Sequence, residues 1–144
     1  MTTRQNSAVS NDFSAKLESL NLDSVADILI ASNGLTHQQA EQAIADYKRY
    51  LSLTHQNPNQ VLVPTKQIDD AFHIHMLGSK FNEDCESLFG YVLHHETGFG
   101  NGDDADQQAW LMAFNRTKQL FKQLFGFDLM DAPSRCFTIA TVGV

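Results

Sequence analysis

The segment IDDAFHIHMLGSKFNEDCESLFGYVLHH, residues 68–95, holds four of the six histidines and one of the two cysteines of the chain. Asp69 and His73 stand four residues apart. A helix puts both on one face, one turn apart, where they can share a cation. The same spacing lets the carboxylate accept the imidazole N–H and fix its tautomer, or lets the two make a buried structural pair. His75 lies about 200° around the helix axis from His73. It aligns with Ile68 and Phe72, towards the core or a helix contact. Cys85, His94 and His95 complete the set. Imidazole, carboxylate and thiolate together suit zinc or another first-row metal. Asp69, His73, Cys85 and His95 are therefore the candidate metal ligands, with Cys85 and His95 as alternative completions of the shell. His75 and His94 are candidate neighbouring binding residues, and no residue is singled out as catalytic. His73 opposite Cys85 would make a nucleophile pair only if both were exposed. The stretch contains no CxxC pair and no HExxH.

Each of these residues also has a plainer role. Cys85 forms an apolar helical stripe with Leu88, Phe89 and Val92, which suits a core. His94 and His95 near a helix C-terminus would offset its dipole. Cys136 lies in an unpatterned tail, where a free thiol without a role is expected. His37 and His55 stand near helix ends and are expected at the surface. Trp110 and the phenylalanines that follow it are expected in the core.

The elements that must position these side chains read as helices. Phe13, Leu17 and Leu20 recur at helical spacing after a possible cap at Asp12. A short helix over residues 24–32 ends at Asn33-Gly34. Thr36 and Gln39 have capping-box spacing and open a third helix, with an apolar stripe of Ala40, Ala43, Ile44, Tyr47, Tyr50 and Leu51. Val61-Leu62-Val63 reads as an extended segment packed on the helices. Thr65 caps a fourth helix to about residue 77. Gly78-Ser79 breaks it, and a fifth helix is expected to about residue 94. A tight break implies an antiparallel hairpin, in which facing residue numbers sum to roughly 157 and His73 meets Asp84 or Cys85. A loop with Gly98, Gly100 and Gly102 precedes a last long helix to about residue 125, carrying Trp110, Leu111, Phe114, Phe121, Leu124 and Phe125. The loop lacks the Lys-Ser/Thr ending of a phosphate-binding loop and follows no strand, so phosphate binding is rejected there. TIATV has β propensity but no obvious partner.

Length and charge limit the classes. The 144 residues fit one domain, and a 42 % hydrophobic content with ten Phe suits a globular core. Residues 66–110 carry nine Asp and Glu against only Lys66 and Lys80, within a chain of net charge −7. That balance excludes a nucleic-acid surface and favours cations or basic partners, or serves only to keep the domain soluble. The sequence has no apolar run long enough for a membrane span. Its polar start lacks the apolar core of a signal peptide, so a cytoplasmic location is expected. Two cysteines do not make a disulfide framework and are expected as thiols.

At these residues the chain resembles the glycine-rich domain-containing protein-like family. The similarity rests on VPTKQIDDAFHIHML, then KFNEDCESLFGYVLHH, then GFGNGDDA, and spans residues 61–127. The residues that match the family pattern are Pro64, Asp69, His73, His75, Cys85, Gly90, His94 and His95. Phe72 stands where the family has Trp, and Phe81 where it usually has Tyr, which removes an indole donor and a hydroxyl. The long glycine-rich region of plant members is absent from this sequence. The resemblance implies that Asp69, His73 and His75 matter together; it brings no settled activity.

The expected fold is all-α: a single compact domain of five to six helices with a central antiparallel helical hairpin. Residues 1–11 are expected to be disordered, 12–127 to form the helical domain, and 128–144 an irregular tail. Three functions fit. The first is a cytoplasmic helical module that binds an unknown protein or small-molecule partner at the His-rich hairpin, with a divalent metal such as zinc as the candidate cofactor. The second is a small metal-dependent enzyme centred on Asp69 and His73, in which a bound water is activated. The third is a scaffold that displays SRCFTIATVGV to a partner, which requires residues after about 133 to lack packing partners.

Overall fold

The structure is a computed structural model that describes residues 11–141. Of residues 1–11, expected to be disordered, Asn11 instead opens the first helix, while residues 1–10 and the last three residues of the expected tail lie outside the described residues. Six helices and two strands follow in order: α1 (Asn11–Glu18), α2 (Asp23–Asn33), α3 (His37–Gln56), α4 (Lys66–Leu77), α5 (Phe81–Phe89), β1 (His94–Thr97), α6 (Asp104–Phe125) and β2 (Cys136–Ile139). The molecule is mostly helical, as expected, but it also holds a small antiparallel strand pair.

Local chemistry explains most boundaries. Thr36 and Gln39 form the full reciprocal capping box of α3. The Thr65 side chain accepts from the Ile68 N–H to start α4, and Asp103 accepts from the Asp106 N–H to start α6. Gly34 and Gly126 end α2 and α6 in the left-handed conformation.

Helix α5 departs from expectation. It stops at Phe89 rather than running on to residue 94, because Gly90 adopts φ 85° there. A residue with a Cβ resists that conformation, whereas glycine accepts it freely. Its N-cap is Lys80 rather than Ser79, with no side-chain cap bond. After four linker positions, residues 90–93, the chain extends as β1. The chain end is not irregular throughout either: β2 pairs antiparallel with β1, with His95 opposite Thr138 and Thr97 opposite Cys136. On its other side β2 bonds the extended segment before α4. Leu62 and Thr138 exchange both backbone hydrogen bonds at 3.0 and 2.9 Å, and the Ser134 N–H reaches the Pro64 carbonyl at 2.9 Å. The terminal strand therefore has neighbours on both edges.

Helices α2, α3 and α5 all pack against α4. Tyr47, Tyr50 and Leu51 of α3, Ile68 and Phe72 of α4, Phe81 and Leu88 of α5 and Phe121 of α6 share one buried core. Fully burying an apolar side chain of this size contributes roughly 1.5–3 kcal/mol. A smaller cluster of Val63, Trp110, Ala113 and Phe114 seats the start of α6. The Trp110 indole N–H donates to the Ser134 carbonyl at 2.7 Å, so α6 also fixes the approach to β2. Leu111, expected in the apolar stripe of α6, is instead 43 % exposed. His55, expected at the surface, is half-buried and stacks on Phe13 with ring centroids 3.9 Å apart.

Candidate metal centre

Four side chains from three elements converge. Asp69 and His73 come from adjacent turns of α4, His95 from β1 and Cys136 from β2, and one ligand atom from each lies within 4.8 Å of all the others. His95 Nε2 stands 2.9 Å from Asp69 Oδ1 and 3.2 Å from His73 Nε2. His73 Nε2 stands 3.4 Å from Asp69 Oδ1 and 3.6 Å from Cys136 Sγ. With Zn–N near 2.0 Å and Zn–S near 2.3 Å, a tetrahedral shell separates its N and O donors by about 3.3 Å and an N–S pair by about 3.5 Å. The observed separations scatter around those values.

The backbone dictates this convergence. On α4 the i, i+4 spacing stacks Asp69 and His73 on one face. In β1 successive side chains alternate, so His95 turns inward while His94 turns out. The His95 side chain is 2 % exposed. In β2 the same alternation buries Cys136 and Thr138 and leaves Phe137 and Ile139 half-buried. The antiparallel register sets Thr138 directly across from His95 and Cys136 one diagonal position away.

A ring of supporting contacts orients the donors. His95 Nδ1 lies 2.8 Å from Thr138 Oγ1. Behind Thr138, the Tyr50 hydroxyl donates to the Leu62 carbonyl at 3.1 Å, and the Leu62 backbone exchanges both hydrogen bonds with Thr138. Phe72 stacks nearly parallel on the His95 ring, centroids 4.1 Å apart, and so clamps this imidazole by its face. His73 meets His95 edge-on. The His73 side chain is 45 % exposed, against 12 % for Asp69. The group is thus sealed on three sides and open past His73.

Burial pushes the Cys136 thiol up to about 11, and the neighbouring Asp69 carboxylate adds to the rise. A cation among the four reverses that preference, because it stabilises the thiolate directly. The four residues comprise two imidazoles, a carboxylate and a thiol, and among the described residues no Lys or Arg forms an ion pair with Asp69.

The other expected site residues go elsewhere. Cys85 is not part of the group. It is 2 % exposed in the main core beside Phe81 and Leu88, and burial raises its thiol to about 11. The hairpin estimate that set it opposite His73 fails because His75, not His73, faces α5. His75 Nε2 lies 2.8 Å from Asp84 Oδ2, and its Nδ1 lies 2.6 Å from the Tyr47 hydroxyl. Next to the carboxylate, Nε2–H donates to Asp84 and Nδ1 accepts the Tyr47 O–H, which satisfies every proton. Phe81 packs edge-on to His75. His94 points outward, half exposed, and pairs with Glu96. Cys136 is the residue that the sequence reading passed over, and β2 carries it. The tail-display reading conflicts with the structure: Ser134, Cys136, Thr138 and Ala140 are all buried.

A cavity of about 560 Å³ lies between α1, α2 and α5, lined by residues such as Lys16, Asp27, Lys80 and Asp84, and none of the four converging residues lines it. Among the described residues no helix is long and apolar enough to cross a membrane. No family model, curated protein or solved structure matches the chain.

Proposed function

We propose that this protein is a metal-binding helical module whose ion is held by Asp69, His73, His95 and Cys136, with zinc the best match. The observation that carries the reading is the convergence of four donor atoms, each within 4.8 Å of the rest and four of the pairs at 2.9 to 3.6 Å, close to the separations a tetrahedral shell requires. The donor chemistry points the same way. One carboxylate, two imidazoles and one thiolate form a borderline set that favours zinc over magnesium or calcium, which prefer oxygen ligands. Four protein donors complete a tetrahedral shell, which supports a closed, structural ion over one that keeps a position for reacting water. The Thr138 contact to His95 Nδ1 matches the outer support that metal-bound histidines commonly have.

The test is titration of chelator-treated, untagged protein with cobalt(II) and zinc(II). Cobalt is expected to bind one-to-one and give tetrahedral visible bands with a near-ultraviolet thiolate band, both displaced by zinc. Cys136→Ser removes the thiolate band, and His73→Ala and His95→Ala each weaken binding at least tenfold. Cys85→Ser and His94→Ala leave it unchanged. Absence of stoichiometric binding by the wild-type protein, or a thiolate band that follows Cys85, overturns the reading.

A further inference from the structure

We infer that the ion acts as a latch on the C-terminal strand, so that β2 leaves the body of the protein only when the metal leaves with it. The inference rests on the metal reading above and concerns what the ion controls. The first observation is topological. His73 and Cys136 are 63 residues apart, and Asp69 and His95 are 26 apart. An ion bound to all four therefore closes two long loops and ties α4, β1 and β2 together. A cross-link over such lengths removes loop-closure entropy from every opened state.

The second observation is how little else holds β2 by apolar burial. Its inward positions are Cys136, Thr138 and then Ala140: a thiol, a hydroxyl and a methyl. Phe137 and Ile139 on the other face are only half-buried. A two-stranded ribbon with four residues per strand is marginal without further support. The two backbone bonds to Leu62 each add only a small net stabilisation, because both partners bond water in the opened state. A metal bound to Cys136 would join this strand to α4 and β1 at a single point, which none of its apolar contacts does. The third observation is directional. His73 is the half-exposed ligand, so the ion can exchange with solvent on the side where α4 meets the strand pair.

Linkage gives the size of the effect. An ion that binds only the closed form suppresses any opening that expels it by a factor of 1 + [ion]/Kd, about 100-fold when free ion stands at 100 times Kd. Openings that keep the ion are not slowed.

Amide hydrogen exchange of the full chain, read by NMR, tests this. The reporters are the Thr138 and Leu62 amides, which bond across β2 and the segment before α4. In chelator-treated protein these amides are expected to exchange faster than the Ala43 and Tyr47 amides in α3. Zinc buffered at 100 times its measured Kd slows them about 100-fold, and His73→Gln, which keeps only Asp69 as a ligand on α4 and binds at least tenfold more weakly, cuts the slowing at the same free zinc to about tenfold or less. Zinc that binds stoichiometrically yet leaves the Thr138 and Leu62 rates unchanged overturns the latch and leaves the metal site standing. So does slowing that persists undiminished in His73→Gln. Failure of zinc to bind at all overturns both.

Discussion

His73 and Cys136, 63 residues apart in the chain, bring Nε2 and Sγ to 3.6 Å. Neither residue does this alone. His73 reaches outward from α4, and Cys136 arrives on a strand whose position depends on three separate events. Gly90 must end α5 so that β1 can form. The Leu62 backbone must take β2 on its second edge. Trp110 must hold the Ser134 carbonyl just before the strand. The contact is thus a readout of the whole fold, and disturbing any of these supports is expected to disturb metal affinity before it unfolds the helices.

The outer support of His95 makes the first prediction. Thr138→Val keeps the shape of a fully buried side chain but removes the oxygen 2.8 Å from His95 Nδ1. The imidazole then loses the partner that fixes its tautomer with Nε2 free for the ion. Zinc affinity is expected to fall roughly 10–100-fold, with helix content unchanged by circular dichroism. A competition titration against a chromophoric chelator measures it. Unaltered affinity would mean that Phe72 alone orients the ring.

The second prediction separates the two histidines of the HIH motif. His75 sits in a relay from Tyr47 to Asp84, and its side chain is 6 % exposed. His75→Phe leaves the Tyr47 hydroxyl buried without an acceptor and the Asp84 carboxylate without a donor. The expected loss is about 1–3 kcal/mol of folding stability, seen as a lower urea midpoint at constant m-value. Asp84→Asn retains a hydrogen-bonding partner and is expected to cost less than His75→Phe. Zinc affinity should stay within twofold in both, since neither residue reaches the ion. A His75 variant that loses metal while keeping its stability would place the relay inside the metal chemistry instead.

The sequence exposed part of this arrangement and concealed the rest for definite reasons. The i, i+4 pair Asp69 and His73 was readable because helix geometry is local, and so was the opposite placement of His75. The capping signals at Thr36 and Thr65 set two helix starts that the structure repeats. Cys85 misled because the hairpin sum set it level with His73, although its own stripe with Leu88 and Phe89 pointed to the core, where the structure buries it. The decisive relation is long-range. A four-residue strand is too short to announce itself, and β1 begins in what reads as the tail of a helix. The signal was present in two weak forms: Gly90 at a helix end, and the alternation of Cys136, Thr138 and Ala140 with the bulkier Phe137 and Ile139. Pairing those two clues needs knowledge of which segments meet, which no local pattern carries.

The last prediction concerns pH. Burial raises both thiols, Cys85 and Cys136, from the ordinary 9.0 to about 11. A group whose folded value lies above its unfolded value binds its proton more tightly in the folded state. The resulting stability is fully present below pH 9 and is lost as pH rises through 11. Burial also raises Tyr47 and Tyr50, so their ionisation adds to the alkaline loss above the ordinary tyrosine range. Chelator-treated protein should therefore lose stability steadily above pH 9, measured by urea midpoints at stepped pH. With zinc bound, Cys136 is already a thiolate and no longer contributes to that slope, while Cys85 still does. The zinc-loaded curve is expected to be flatter, and Cys85→Ser should flatten it further. The same raised thiol makes metal uptake release a proton near pH 7.5. Calorimetric titrations in two buffers of different ionisation enthalpy should record about one proton released per zinc, absent in Cys136→Ser. Equal proton release by wild type and Cys136→Ser would show that the thiol does not ligate the ion.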